Sequence, residues 1–552
     1  MPDTTVFTAR KIVTLNPSTP EATAVAVREG RILAVGTLEE CASWGPHTVD
    51  RRFEGEVLVP GFVEAHGHTA DGMVSMLPYV GFHDFPLADG GVARGVHGYD
   101  ELIEVLKKAD AALPEGEPLV ANSFDPIFFP GEARLSKEHL DRVSTKRQVV
   151  VRHASGHLLT LNSVALREEK IGRDCATPGV PRGADGEPTG ELQEGPAMSL
   201  AVRSQKKLMA LNMNPELVRN HGRLCRNAGV TTSTELLGFL LVAPKLVDAW
   251  HGVVDADDFP ARLVLYNAPT IPGRTVDYEA VAEQALALRE RDTPKMRNMG
   301  AKLLTDGSIQ GWTAVMLWPG YYTGEDQGLL VVTPEELTAQ LRAFHRRRMN
   351  VHCHCNGNGG AQAFIDAVER VLAEDAWLDH RHVVQHSQTT TQAQYRRMAR
   401  LGLCANIFTN HAWYWGDQHW NLTMGPERTR AMWACRTALR EGVALSTHSD
   451  SGVTPIGQLM TMWCAVNRLS HTGRRLGEEE RITAAEALHA TTLGAAFQLH
   501  LDHEIGSIEC GKLADFTVLE NSPLDVDPLA IKDIRVWGTV IGGVPYEAER
   551  AR

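Results

Sequence analysis

Short apolar runs alternate with longer helical patterns through the middle of the chain, and this alternation restricts the possible folds more than any other feature. Helical patterns such as TPEELTAQLRAFHRRR and AQAFIDAVERVLAED separate several of the runs, which is typical of βα units in a parallel sheet. With the run Val57–Phe62 the strands number eight, so the sequence predicts an α/β fold, a (β/α)8 TIM barrel. The other seven are Val230–Leu236, Arg262–Asn267, Ala301–Thr305, Val351–His354, His382–His386, Leu403–Ile407 and Val443–Thr447.

The two ends of the chain share a pattern of short predicted strands that the middle lacks. KIVTLN, ATAVAVREGRILAVG and VLVPG near the start are short β-branched runs broken by turn residues, and GSIECGKLADFTVLE and IRVWGTVIGGVPY repeat this near the end. Strands from both ends can pair into one small β unit beside the barrel. We therefore expect a small β-sandwich domain from residues 1–56 plus 503–552, and a barrel from 57–98 plus 216–502.

A third segment interrupts the barrel pattern. Residues 99–215 hold their own strand candidates, PLVAN and RQVVVRHAS, and a Gly/Pro-rich piece, CATPGVPRGADGEPTGELQ. We expect an inserted subdomain after the first barrel strand.

The length, net charge and cysteine content of the chain restrict its possible functions. A chain of 552 residues exceeds one ordinary core, so two or three structural units are expected. The net charge of −13 argues against nucleic acid or an anionic membrane as the partner, and no apolar run reaches the length of a membrane span. The opening MPDTTVFTARKIVTLN predicts a strand, not a signal peptide. The nine scattered cysteines favour buried thiols in a reducing cytoplasm over a metal site at Cys353 and Cys355.

Polar side chains stand where the predicted strands end. His66 and His68 are two residues apart, so an extended backbone would aim both imidazoles to one side. Because the carboxyl ends of barrel strands meet at one face, the other strand-end groups should join them. Each histidine alone could be structural, but the set together predicts a site for a borderline-soft divalent metal such as zinc. The further members are His354, His386 and Asp450, and Lys302 lies within the strand of AKLLTDG.

These residues lie in motifs that resemble a known family. PGFVEAHGH resembles the opening metal motif of the amidohydrolase superfamily, and GSIECGKLADFTVLE resembles its returning β-sandwich segment. KLLTDGS, HCNGNGGAQAFIDAVE, RHVVQHSQ, HSDSGVTP, GHLLTLNSVAL and DGEPTGELQE resemble the amidohydrolase family 3 branch that includes N-substituted formamide deformylases. The resemblance covers essentially the whole chain. It implies a distorted metal-bearing barrel beside a β-sandwich.

The resemblance also implies roles for the strand-end residues. His66 and His68 would hold the more buried ion together with Asp450, while His354 and His386 would hold a second ion. Lys302 matches the lysine that this family carbamylates to bridge two ions. An alternative is that Lys302 pairs with Asp306, which would leave a one-metal site.

The expected chemistry follows from charge. A divalent metal lowers the pKa of its bound water from 15.7 towards ~7, which supplies hydroxide at neutral pH. Asp450 could accept the water's proton and return it to the departing nitrogen, and His157 is a second catalytic candidate. The sequence contains no G-x-S-x-G motif, the elbow that would carry a serine nucleophile.

Candidate substrate contacts come from three further places in the sequence. TNHAWYWGDQHW follows the seventh strand and carries a dense aromatic group, which suits a flat apolar substrate, although packing of a loop against the barrel is an equal alternative. RHASGH and HSD supply further histidines. The candidates are His153, His411, Trp413, Trp415, His419 and His448.

The sequence thus predicts a cytoplasmic zinc-dependent amidohydrolase with one or two ions per chain that cleaves a small N-substituted amide, a formamide or an aryl or alkyl amide. Alternatives are opening of a cyclic amide, carbamate cleavage or decarboxylation at the same site, or a catalytically silent interaction protein. We expect a small-molecule partner, neither nucleic acid nor membrane, and a homo-oligomer, a dimer.

Overall fold

The computed structural model describes residues 4–129, 134–238, 245–269, 276–324 and 328–550. The chain forms two compact units. The first unit comprises Met1–His68, Gly222–Pro269 and Asp277–Arg552, and the second comprises Thr69–His221 and Thr270–Val276. The finer division into three domains stays a prediction.

The strands of the described residues follow one another from end to end of the chain. In chain order they are β1 (Thr4–Val13), β2 (Glu21–Arg28), β3 (Arg31–Gly36), β4 (Thr48–Pro60), β5 (Phe62–Glu64), β6 (Phe85–Pro86), β7 (Val92–Ala93), β8 (Leu119–Phe124), β9 (Val149–His153), β10 (Leu158–Leu161), β11 (Glu191–Gln193), β12 (Val230–Gly238), β13 (Arg262–Asn267), β14 (Met296–Leu304), β15 (Asn350–Cys355), β16 (Val383–His386), β17 (Cys404–Ile407), β18 (Ala444–Thr447), β19 (Phe516–Leu519), β20 (Val536–Ile541) and β21 (Val544–Glu547).

The α-helices concentrate between the later strands. They are α1 (Leu38–Ala42), α2 (Tyr99–Ala112), α3 (Lys137–Asp141), α4 (Ser163–Glu168), α5 (Glu194–Met198), α6 (Val202–Asn212), α7 (Pro215–Ala228), α8 (Lys245–Val254), α9 (Tyr278–Leu288), α10 (Pro334–His345), α11 (Asn358–Glu374), α12 (Gln392–Leu401), α13 (Asn410–Gln418), α14 (Gly425–Arg430), α15 (Cys435–Arg440), α16 (Gln458–Asn467), α17 (Ala484–Ala490) and α18 (Leu493–Gln498).

Strands from both chain ends pair in one seven-stranded sheet, with the order β21-β20-β19-β4-β1-β2-β3. The β2–β3 hairpin turns through Glu29 and Gly30, both with positive φ, the backbone that a two-residue hairpin loop requires. Phe7, Phe53 and Phe516 belong to the buried core of this sheet. The predicted pairing of the two ends is confirmed.

Eight parallel strands form the second sheet of the first unit, in the order β18-β17-β16-β15-β14-β13-β12-β5. The seven predicted runs between residues 230 and 447 each supply one of them. At the closing seam a single parallel bridge joins Gly67, after β5, to Ser451, after β18. A β-carbon on Gly67 would lie 2.6 Å from Ser451 Oγ, so this close approach needs glycine. The predicted distorted barrel is confirmed.

The prediction for the first barrel strand is wrong in its extent. Val57–Pro60 is the end of β4, where Leu58 pairs with Val518 of β19 in the terminal sheet. The barrel strand is the shorter β5, whose Phe62 pairs with Val230 of β12. One apolar run thus serves both sheets, divided at Gly61.

The second unit has a four-stranded sheet of its own, with the order β11-β10-β9-β8. Strands β8 and β9 are parallel, while β9, β10 and β11 pair antiparallel. Val150, Leu159 and Leu192 are fully buried in its core. This sheet accounts for the strand candidates PLVAN and RQVVVRHAS, and the first residue of the unit, Thr69, follows β5. The predicted bounds of the insertion, 99–215, stay a prediction.

Among the described residues, no helix combines the length and the apolar character that crossing a membrane requires.

Candidate metal centre

The carboxyl ends of the barrel strands bring the strand-end groups of the sequence together. His66 and His68 come directly after β5, and Asp450 follows β18 across the closing seam. Since all eight strands are parallel, their carboxyl ends meet at one face, where side chains from several strands come within reach of one ion.

The first group of possible metal ligands is His66, His68 and Asp450, whose ligand atoms all lie within 4.8 Å of one another. Asp450 Oδ1 is 3.6 Å from Nε2 of each histidine. Each histidine turns its other nitrogen to a side chain of another barrel strand: His66 Nδ1 to Gln385 Oε1 at 2.7 Å, and His68 Nδ1 to Glu235 Oε1 at 3.1 Å. These contacts fix both rings with Nε2 towards the carboxylate, as ligating histidines require.

The second group is His66, His386 and His448, again with ligand atoms within 4.8 Å. The rings of His66 and His448 stack at 4.6 Å with 17° between their planes. Neither nitrogen of His386 or His448 has a hydrogen-bond partner among the described residues, although both rings are buried. Buried polar atoms are almost always satisfied, so these four nitrogens fit a site that holds an ion.

Burial keeps the ring nitrogens of this centre available as ligands. It lowers the pKa of His66, His386 and His448 well below the usual histidine value. A neutral imidazole carries the lone pair that a metal needs, so the donor set of several imidazoles and one carboxylate suits a divalent transition ion.

Lys302 lies on β14 and is 2 % exposed. Its Nζ is 3.1 Å from His66 Nε2, inside the first group. Burial lowers the pKa of Lys302 to about 8. The lysine therefore lies beside the candidate ion position, and its share of neutral amine is larger than that of an ordinary lysine.

His354 lies on β15 beside the centre but outside both groups. Its Nε2 is 3.1 Å from the Gly307 carbonyl oxygen, and its ring centroid is 4.5 Å from that of His386. His448, which the sequence suggested as a substrate contact, stands in the group where the resemblance implied His354.

The backbone at this face is strained. His386, Ser387 and Asp450 have φ values of 65°, 48° and 55°, which side-chain-bearing residues seldom adopt. Strain of this kind persists where the surroundings hold a residue in a working geometry, so it agrees with a functional site at the end of β16 and β18.

Two acidic residues that sequence reasoning missed support the centre. Glu64, at the end of β5, accepts hydrogen bonds from the backbone N–H groups of His66 and Ser449, and so joins the two sides of the seam. Burial raises the pKa of Glu64 to about 8, so it is largely protonated at neutral pH. Glu235, near the end of β12, orients His68. Glu235, the acidic residue of TSTELLG, stands near the end of a predicted strand, and this position is the signal that could have identified it from the sequence.

The aromatic stretch after β17 forms a helix instead of a loop. His411 and Trp415, in α13, are fully or almost fully buried and stack at 4.5 Å, and His411 also stacks on the buried His419 at 4.8 Å. His411 Nε2 contacts Gln310 Oε1 at 3.2 Å. Trp413 is only partly buried. A substrate role for these four residues stays a prediction.

His153 and His157 belong to the second unit. His153 is buried on β9, contacts Thr160 Oγ1 at 2.9 Å, and has its pKa lowered to about 3 by burial. His157 Nδ1 is 2.8 Å from Glu194 Oε2, and Glu194 has a positive φ of 62°. The predicted roles of His153 and His157 remain predictions.

The fold and this face together define a hydrolase class. Residues 53–546 match the model of a family described as the amidohydrolase family, so the chain belongs to that family. The expected enzyme class, a metal-dependent amidohydrolase acting on carbon–nitrogen bonds, is confirmed.

Particular relatives span nearly the whole chain. Protein LONG AFTER FAR-RED 3 of Arabidopsis thaliana is 27 % identical over 96 % of this chain and 89 % of its own length. An N-substituted formamide deformylase of Arthrobacter pascens is 24 % identical over 95 % and 94 %. An uncharacterised metal-dependent hydrolase from Pyrococcus horikoshii OT3 has the same fold, with a TM-score of 0.71 and 18 % identity over 95 % of this chain and 99 % of that structure.

Proposed function

We propose that this protein hydrolyses the C–N bond of a small N-substituted amide, a formamide or an aryl or alkyl amide. The observation that carries the proposal is the convergence of His66, His68, His386, His448 and Asp450 at one barrel face, with ligand atoms in two groups that share His66. The similarity to an N-substituted formamide deformylase supports amide chemistry over the other reactions such a site could perform.

We propose zinc as the ion, one or two per chain. Imidazole nitrogens with a carboxylate oxygen are the donor set that zinc prefers in catalytic sites. When bound, the ion would lower the pKa of water towards ~7 and polarise the substrate carbonyl. His66 and His68 would hold it through Nε2, and His386 and His448 offer the nitrogens for a second position.

Asp450 is the proposed proton carrier. Its Oδ1 faces His66 and His68, and its Oδ2 is 3.5 Å from His386 Nδ1, so the carboxylate contacts histidines of both groups. There it can take the proton of the attacking water and give it to the departing nitrogen, which leaves as a neutral amine.

Lys302 is the proposed bridging group after carbamylation. The neutral amine is the form that attacks CO2, and the lowered pKa of Lys302 increases its share at neutral pH. The new N–C bond forms as the amine loses a proton, and the product is an anionic carbamate beside His66. We further propose a cytoplasmic location, which the nine cysteines scattered through the sequence without a disulfide-framework spacing support.

A substrate panel tests the proposal. Released amine would be measured for formamides, acetanilides, lactams and carbamates with the zinc-loaded full-length chain. We expect turnover of formamides or acyclic amides, with Asp450→Asn reducing kcat by about 10²–10⁴-fold because the amide keeps the shape of the side chain but cannot carry the proton.

Preferential turnover of lactams or carbamates would replace the substrate class while leaving the metal centre in place. Full activity of Asp450→Asn on amides with poor leaving groups would remove Asp450 from the proton pathway. A zinc-loaded protein inactive on all four classes would refute the amide proposal.

A further inference from the structure

A cavity lies at the opposite end of the barrel strands from the candidate metal centre. It has a volume of about 620 Å³, and its lining includes Arg297, from the first half of β14, and Asn350, the first residue of β15. Lys302 follows Arg297 by five residues on the same strand, which corresponds to ~16 Å of extended chain. The volume suits a small-molecule ligand, and the cavity is separate from the proposed amide site.

Three arginines and two acidic residues, Asp292 and Glu504, belong to the lining of this cavity, and two of the arginines form ion pairs. Arg297 forms an ion pair with Glu504 at 2.7 Å, and Arg348 forms one with Asp375 at 2.8 Å. The charges of these two guanidinium groups are therefore balanced within the protein.

The third arginine, Arg289, forms no ion pair with a described residue, although the Asp292 carboxylate acts on it from a longer distance. Its Nε donates to the Asn298 carbonyl oxygen at 3.1 Å and its Nη2 to that of Met299. Among the described residues no carboxylate lies within ion-pair distance of its guanidinium group, and burial lowers the pKa of Arg289. Two of its five N–H groups are thus engaged by neutral oxygens, and the remaining N–H groups can bind an anion as a fork.

Aromatic rings form another part of the cavity lining. Trp377 and His500 lie nearly parallel, with 11° between their planes and 6.2 Å between their centroids. The Arg348 guanidinium carbon is 5.6 Å from the centroid of the Trp377 ring. Flat rings of this kind offer stacking surfaces to a planar ligand.

We propose that this cavity is a binding site for a small aromatic carboxylate. Arg289 receives the carboxylate through its remaining N–H groups, and the aromatic ring of the ligand lies against Trp377. The site is independent of the amide reaction and of the metal.

Calorimetric titration of the full-length zinc-loaded protein with benzoate tests the proposal. Arg289→Met should weaken benzoate binding by about tenfold or more, because a charge-assisted pair of hydrogen bonds is lost. Arg291→Met is the matched control, since Arg291 lies two residues away and pairs with Asp248 outside the cavity lining. The Arg291→Met variant should bind benzoate with the affinity of the wild type. Benzyl alcohol, which lacks the charge, and acetate, which lacks the ring, should each bind at least about tenfold more weakly than benzoate.

Trp377→Leu provides a second variant if Arg289→Met does not fold, and it should weaken benzoate binding more than acetate binding. Equal benzoate affinity in Arg289→Met and Arg291→Met would overturn the proposal. So would benzoate binding that disappears when zinc is removed by a chelator, because that result places the ligand on the metal centre.

Discussion

The imidazole of His66 shows how side chains from several barrel strands set the geometry of the candidate metal centre. Its Nδ1–H donates to Gln385 Oε1 at 2.7 Å, so Nε2 is directed towards Asp450. Gln385 Oε1 also accepts a hydrogen bond from Asn406 Nδ2 at 2.9 Å, and Gln385 Nε2 contacts His352 Nδ1 at 2.6 Å. This buried network holds both the tautomer and the orientation of His66.

Replacing Gln385 with Leu should therefore weaken metal binding. The change removes the acceptor of the His66 N–H, and loss of such an outer partner typically costs about 10–100-fold in metal affinity. Zinc competition with a chromophoric chelator measures this. Gln340→Leu is the matched control, because Gln340 is also a buried glutamine but bonds Tyr278 on the helical layer. Equal zinc affinity in both variants would show that Gln385 does not position His66.

Among the elements, the barrel strands were the most predictable and the aromatic segment the least. A parallel strand buried on both faces is a continuous apolar run, which the sequence shows directly. In the segment after β17, His411, Trp415 and His419 are spaced by four residues, the repeat of one helix face, but density of aromatic residues suggested a substrate loop. The structure buries that face.

Trp415→Ala should accordingly destabilise the protein. Trp415 is 2 % exposed and stacked on His411, and removal of a buried tryptophan side chain costs about 3–5 kcal/mol. Trp44→Ala is the control: Trp44 is 56 % exposed, and its loss should change the free energy of unfolding by less than about 0.5 kcal/mol. Urea unfolding measures both. A stable Trp415→Ala variant with altered substrate preference would instead favour the predicted substrate role.

At the scale of the whole molecule, long-range pairing decided what the sequence could not show. The run Val57–Phe62 is continuous in sequence, yet its first part pairs with β19 and its last residue with β12, hundreds of residues later. The place of His448 beside His66 and His386 likewise depends on three strands meeting. The residue types of the centre were predictable from strand ends, while their grouping depended on the closed barrel.

Buried neutral histidines are a second property of the molecule as a whole. Three of these histidines, His345, His380 and His382, form a cluster. His345 Nδ1 is 2.9 Å from His382 Nε2, and the backbone N–H of His382 donates to His380 Nδ1 at 2.9 Å. Burial lowers the pKa of all three, that of His380 to about 4. Each ring accepts a hydrogen bond that protonation would remove.

Stability should fall as the pH drops from ~6.5 towards 4. In this window the unfolded chain binds protons that the folded chain excludes, and each such histidine costs up to ~1.4 kcal/mol per pH unit. His380→Asn should reduce this slope, since asparagine keeps a donor and an acceptor but does not titrate. His503→Asn, at an exposed position, is the control. Measuring the free energy of unfolding at pH 7.5, 6 and 5 tests this prediction. If this free energy depends on pH equally in His380→Asn and the wild type, His380 is excluded as a contributor.

Metal content and turnover measured on the same preparation test the central claim most directly. Elemental analysis of the purified full-length chain should give about one to two equivalents of zinc per chain. Chelation should remove zinc and activity together, and zinc should restore both, whereas His68→Ala should retain the fold with reduced zinc. Full amide hydrolysis by a folded, metal-free preparation would contradict the assignment of His66, His68, His386, His448 and Asp450 as a metal centre.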